Sequence, residues 1–188
     1  MTEATTPNRS RSLRRLLLVG AAVAGVAMMA GGTVLGGSGG QLAAVRDATD
    51  QYHDLRVAKG DDFVEFYICT DENQGAGAMG QHYANLGRVG DPTLNELEPE
   101  VLVYAPKPGG GYRLVGVEYV VFADAWHETH ADPPVLFGDK ELKFIPAGNR
   151  YGLPDFYELH AWVWRPNPRG IFDDWNSKVS CLGNGDPA

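Results

Sequence analysis

The feature that most limits how this chain can fold is a change of period at Gly60. Before it, residues 41–59 carry Leu42, Val45, Ala48, Tyr52, Leu55 and Ala58 at steps of three and four, which predicts one helix with Gly60 as its stop signal. After it the period becomes two. Residues 63–68 (FVEFYI), 101–104, 112–122 (YRLVGVEYVVF), 141–145 and 157–164 (YELHAWVW) are rich in Val, Tyr, Phe and Trp and are predicted strands. Turn-forming clusters at 72–80, 87–92, 106–111, 132–134, 148–154 and 166–170 separate them, and 106–111 (PKPGGG) has the composition of a hairpin loop. Nothing helical is predicted beyond residue 60. The fold class is therefore mainly β: a small antiparallel barrel or sandwich preceded by one N-terminal helix. Trp162 and Trp164 alternate with Ala161 and Val163, so both faces of the last strand are apolar. That suits a filled barrel, or a strand between a sheet and the helix.

The first forty residues are of another kind. Arg9, Arg11, Arg14 and Arg15 stand against the single acid Glu3, and residues 16–37 (LLLVGAAVAGVAMMAGGTVLGG) hold no charge. A basic start followed by an apolar run is the layout of an export signal. The adjacent Arg14 and Arg15 before Leu16, Leu17 and Leu18 resemble a twin-arginine signal, although Leu13 precedes the pair and no Lys follows. Two fates stay open. The leader is removed, with Ser38-Gly39-Gly40 as the best small-residue site, or it is retained as an anchor, since twenty-two helical residues reach roughly 33 Å. Residues 1–40 are thus the export signal or anchor and 41–188 a single β-rich domain. The domain works outside the cytoplasm, secreted or held at the outer face of the membrane. Cys69 and Cys181, both in the exported part, are expected to form one disulfide. Closing so long a loop stabilises by up to about 4–5 kcal/mol in the chain-entropy view.

Charge narrows the partners. The leader is basic, so the other 148 residues keep 12 basic against 23 acidic side chains. A body that acidic has no surplus to neutralise phosphates, which excludes nucleic acid as a partner. Membrane contact is expected only through residues 16–37, if they are retained. Pro-rich turns and the acidic surface favour a monomer.

Several motifs fail on their spacing. Residues 75–80 (GAGAMG) match GxGxxG, but six residues separate them from the preceding strand and 85–92 breaks any helix after them, so they are expected as a flexible loop. His127-Glu128-Thr129-His130 is one residue short of a zinc-binding helix. The pairs Asp61-Asp62 and Asp173-Asp174 lack the alternation of a calcium loop and are expected as solvated surface.

Three ionisable residues remain in unusual places. Glu118 is central in an otherwise apolar strand, His160 is central in Leu159-His160-Ala161-Trp162, and His82 follows the glycine-rich loop. A carboxylate within an apolar strand costs several kcal/mol unless it is paired or bound to a metal. Two His and one Glu from separate strands make a facial set for Fe(II), or a three-ligand zinc site with an open position. The expected metal ligands are His82, Glu118 and His160, with one divalent transition ion (Fe, Zn, Cu or Mn). Glu158 is expected to orient the ligands, and Tyr119, Trp162 and Trp164 to line the pocket. The plainer alternatives are a solvent-facing Glu118, a backbone-bonded core His160 and a loop His82.

The segments Gly80-Gln81-His82-Tyr83, Pro99-Glu100-Val101-Leu102-Val103-Tyr104, Val117-Glu118-Tyr119 and Glu158-Leu159-His160-Ala161-Trp162, continuing through Trp164-Arg165-Pro166-Asn167-Pro168, Gly170, Phe172 and Cys181, resemble a family of uncharacterised exported bacterial proteins, chiefly from actinobacteria. The likeness spans about residues 50–183 and implies one compact exported domain but no reaction. The trio is also similar in kind to the ligands of cupin barrels, whose His-x-His pair is missing here. Three functions follow: an exported metal-binding β-barrel, oxygen-using or hydrolytic; a binding module holding a small apolar or sugar-like ligand on Trp126, Trp162, Trp164 and Trp175; or a structural envelope protein.

Overall fold

The computed structural model describes residues 38–72 and 75–182; the basic and apolar leader, with its expected roles, lies outside them. The helical period before Gly60 forms helix in pieces rather than as the single run expected. Helix α1 (Ser38–Thr49) passes into a 3₁₀ turn (Asp50–His53), and α2 (Leu55–Gly60) starts anew. Asp54 makes the break: its backbone is extended, and its carboxylate accepts a hydrogen bond from the Arg56 N–H at 2.9 Å, which caps a new helix. The apolar stripe survives the break, because Leu42, Val45, Tyr52 and Ala58 are all buried.

Beyond Gly60 the fold is mainly antiparallel β. Strands β1 (Phe63–Glu72), β2 (Gly77–Asn85), β3 (Val101–Pro106), β4 (Tyr112–Phe122), β7 (Lys143–Ile145) and β8 (Phe156–Ala161) make one curled sheet in the order β1-β2-β3-β4-β8-β7, an open half-barrel. A separate pair, β5 (Val135–Leu136) and β6 (Lys140–Glu141), lies beside it in the chain. Two short helices interrupt the β pattern, α3 (Leu86–Val89) and α4 (Ala123–His127), where none was expected. The Asn85 side chain accepts from Arg88 N–H at 3.1 Å and so starts α3 in a segment otherwise read as turn.

Three strand expectations need correction, the first being 141–145, which is split between β6 of the small pair and β7 of the large sheet. The glycine-rich segment 75–80 is no loop but the approach to and first half of β2. Its glycines answer steric demands: Gly77 (φ +92) lies where a side chain would enter the Asn176 backbone, and at Gly80 (φ +94) a Cβ would sit 2.7 Å from the Tyr104 carbonyl. The last strand ends at Ala161 rather than Trp164. There the Trp162 N–H turns to the Ile171 carbonyl at 2.9 Å and Val163 N–H back to Ala161, so the chain peels off the sheet.

Period two gives the sheet two unlike faces. On one, Tyr83, Leu102, Tyr104, Val117, Tyr119, Val121 and Leu159 pack against Leu42, Val45 and Tyr52 of the helical pieces. On the other, Ala84, Val101, Val120 and Phe156 form one apolar cluster and Val103, Ala105, Val115 and Trp162 another. The segment after β8 closes back over this sheet. Asn176 exchanges both backbone hydrogen bonds with Ala78 at 3.1 and 3.2 Å, and the expected disulfide joins Cys181 to Cys69 of β1 across a separation of 112 residues. Among the described residues no helix is long and apolar enough to cross a membrane.

Candidate metal centre

Register brings the three ionisable side chains together between the two apolar clusters. Val101 pairs with Glu118, and Glu118 with His160, so Glu118 and His160 are direct cross-strand neighbours. His82 on β2 pairs with Val103, which pairs with Gly116, one row along the same face. Gly116 is needed there because a Cβ would sit 2.9 Å from the Ala161 carbonyl of β8. His82 Nε2 lies 3.2 Å from His160 Nε2 and 3.4 Å from Glu118 Oε2, and His160 Nδ1 lies 3.6 Å from Glu118 Oε1. All three are buried: His82 is 4% exposed, Glu118 5% and His160 1%.

Burial sets the protonation. It pushes the His82 imidazole down to about 3, helped by the neighbouring His160, while a hydrogen bond to the Gly80 backbone acts the other way. That bond leaves Nε2 facing the other two side chains, the way a metal-ligating His is usually held. Burial likewise takes His160 down to about 3, with Lys143 adding to the effect. Both rings are therefore neutral, the form that binds metal. Burial, reinforced by Glu158 and Asp174, pushes Glu118 well above the usual carboxylate range. In addition, His160 Nδ1 is buried without a hydrogen-bond partner among the described residues.

These residues fit a metal. One donor atom from each lies within 4.8 Å of the others. The separations of His82 Nε2 from His160 Nε2, 3.2 Å, and from Glu118 Oε2, 3.4 Å, are near the roughly 3.3 Å between ligand atoms around a tetrahedral ion with bonds of about 2.0–2.1 Å. The buried His82/Glu118/His160 cluster could thus hold a metal ion, which would compensate the buried carboxylate.

Glu158, also buried, hydrogen-bonds Glu118 and is pushed up to about 7 by burial and by Asp174. Lys143 Nζ reaches it at 3.6 Å and holds Asp174 Oδ2 at 2.6 Å. Asp174 was expected on a solvated acidic surface; instead the C-terminal segment folds it in beside Lys143, 4.0 Å from His160 Nδ1. Tyr119 corrects another expectation. As the residue after Glu118 it points to the opposite face, where its hydroxyl donates to the Glu96 carbonyl at 2.7 Å. Trp164 is also elsewhere, its indole N–H on Thr49 Oγ1 at 3.1 Å and its ring against His53. Trp162 stays near, its ring 6.0 Å from that of His160 and its N–H on the Asp173 carbonyl at 2.6 Å. His127 and His130 do not converge: His127 meets the Tyr157 hydroxyl at 2.9 Å, and His130 stacks on Trp126.

A cavity of about 160 Å³ adjoins the cluster, with His82, Glu118 and Glu158 in its lining and Phe66, Val101, Val120, Phe122, Leu153 and Phe156 among its apolar walls. A second, more polar cavity shares Tyr151 and Glu158 with it and adds Lys143, Arg150 and Asp174. Sequence reasoning missed Lys143, Tyr151 and Asp174. They sit on a three-residue strand, a turn and the C-terminal segment, and no periodicity marks them. Comparison with protein-family models, curated proteins and solved structures finds no match.

Proposed function

We propose that this is an exported β protein that holds one divalent transition-metal ion on His82, Glu118 and His160 and leaves further coordination positions to water or a substrate. One observation carries the reading: one donor atom from each of two neutral imidazoles and a carboxylate lies within 4.8 Å of the others in a buried site, and all three side chains gain from a cation placed among them. Such an ion supplies Lewis acidity and an acidified water, or with iron a place for oxygen. His82 and His160 contribute neutral donors, and Glu118 the single negative charge. Glu158, hydrogen-bonded to Glu118, orients it and can hold a proton beside the open side of the centre. The Cys69–Cys181 disulfide supports an oxidising compartment outside the cytoplasm. The test is elemental analysis of the exported protein purified without affinity metals, beside His82→Ala, His160→Ala and Glu118→Gln. Near-stoichiometric iron, zinc, copper or manganese that is lost in all three variants is the expected result. Folded, disulfide-bonded protein with no metal would overturn it.

A further inference from the structure

We infer that the ligand of this centre is a small amphipathic monoanion: a carboxylate head on a slender hydrocarbon body of about eight to ten carbons. This rests on the metal reading above and adds to it what the centre accepts. The cavity beside the cluster is mostly apolar, walled by phenylalanines and aliphatic side chains, and its ionisable groups are His82, Glu118, Glu158 and Tyr151. His160 does not line it, so a ligand reaches the centre from the His82 and Glu118 side. A body without polar groups is what such walls accept, since a buried polar group there would go unpaired.

Charge selects the head. A divalent ion on two neutral imidazoles and one carboxylate leaves one positive charge. Beside it, the Lys143 ammonium is compensated within the chain by Asp174, which it holds at 2.6 Å. The remaining positive charge lies against apolar walls, where an uncompensated charge is costly. A monoanionic oxygen donor cancels it and fills an open coordination position; a neutral head does not.

Strand geometry sets the length. Glu118, Val120 and Phe122 line the cavity in succession on β4, and four residues of strand span about 13 Å. That is the reach of an extended chain of about eight to ten carbons. At the far end Leu86 of α3 lines the cavity while 60% exposed, which opens that end to solvent.

The test is calorimetric titration of the full exported protein, zinc-loaded and chelator-stripped, with acetate, butyrate, hexanoate, octanoate and octan-1-ol, zinc content being measured in the same samples. Affinity for the zinc-loaded protein should rise about tenfold for each two methylenes up to octanoate. Octanol, and octanoate with stripped protein, should bind at least tenfold more weakly than octanoate with zinc-loaded protein. Ala84→Phe, which places a ring in the cavity wall, should keep zinc and acetate and lose the gain with chain length. If that variant does not fold, the chain-length series on the native protein decides. Zinc uptake with equal affinity for acetate and octanoate would overturn this inference and leave the metal reading standing. Octanoate binding that is indifferent to zinc and equal to octanol would make the cavity a site for neutral apolar molecules and overturn it too. Failure to take up zinc, and equally iron, copper and manganese offered in its place, would overturn the metal reading and this inference with it.

Discussion

The two faces of the sheet bury polar atoms in opposite ways. On the helix-covered face Tyr104 and Tyr119 are fully buried, and each hydroxyl donates to a backbone carbonyl at 2.7 Å, Tyr104 to Tyr52 and Tyr119 to Glu96. That face is closed: its donors have acceptors within the chain, and the hydrogen bonds fix the helical pieces and the 96 region onto the sheet. One residue along from Tyr119 on β4, Glu118 faces two imidazoles, and His160 Nδ1 has no hydrogen-bond partner among the described residues. Equal burial therefore has two meanings. A satisfied buried polar group is structure, whereas a buried cluster of ligand-type side chains with one nitrogen left unpaired is a candidate site.

Substitutions on the two faces should separate these meanings, and the largest contrast is in metal content. Glu118→Gln and His160→Ala should lower metal affinity by more than 100-fold, since each removes one of three ligands. Tyr119→Phe should leave metal content unchanged in the same elemental analysis. A loss of metal in Tyr119→Phe would erase the distinction between the faces.

Next in size is the disulfide, which ties β1 to the segment that carries Asp174. Cys69→Ala with Cys181→Ala should cost up to about 4–5 kcal/mol in denaturant unfolding, the loop being long. It should also weaken metal binding modestly by loosening Asp174 and Trp162 beside the cluster. Unchanged stability would mean that the Asn176–Ala78 backbone pair suffices to hold this segment.

A second buried carboxylate sharpens the comparison through pH. Glu100 accepts the Val120 N–H at 3.2 Å, and burial pushes it up to about 8 from an ordinary 4.5. Its pKa is thus higher folded than unfolded. Stability is full below pH 4.5 and is lost as pH rises towards 8, by up to roughly 1.4 kcal/mol per pH unit. Glu100→Gln should flatten that slope in unfolding measured from pH 5 to 8.5, with a gain of about 1–3 kcal/mol at the upper end. An unaltered slope would show that Glu100 ionises in place. The smallest effect belongs to the closed face. Tyr104→Phe should cost about 1 kcal/mol in thermal unfolding, the worth of one neutral hydrogen bond.

Much of the fold was legible because its cause is local. The strands at 63, 101 and 112 announce themselves by alternation and β-branched or aromatic content, and β4 falls where its pattern places it. Strand β2 was not legible, since Gly77, Ala78 and Gly80 have little strand propensity of their own; close approach by Asn176 and Tyr104 puts them in the sheet. The end of β8 was misplaced for the same kind of reason, Trp162 being drawn away by Ile171. At the site, an ionisable residue inside an apolar strand singled out Glu118 and His160. The parity that sends Tyr119 to the other face was present in the sequence as well. Lys143, Tyr151 and Asp174 carried no such mark.

The sequence by itself determined the period of each segment, and with it a mainly β body, two cysteines suited to one disulfide, and three ionisable side chains where water would be scarce. Only the tertiary structure decided that those three meet. Period assigns a residue to a face of its own strand, but which strands neighbour one another, and in what register, depends on contacts between distant parts of the chain. The pairing of Val101 with Glu118 and of Glu118 with His160 is such a contact, as is the curl that lets His82 reach across β3. A carboxylate and two imidazoles scattered over almost eighty residues become a metal-sized cluster because the sheet closes on them.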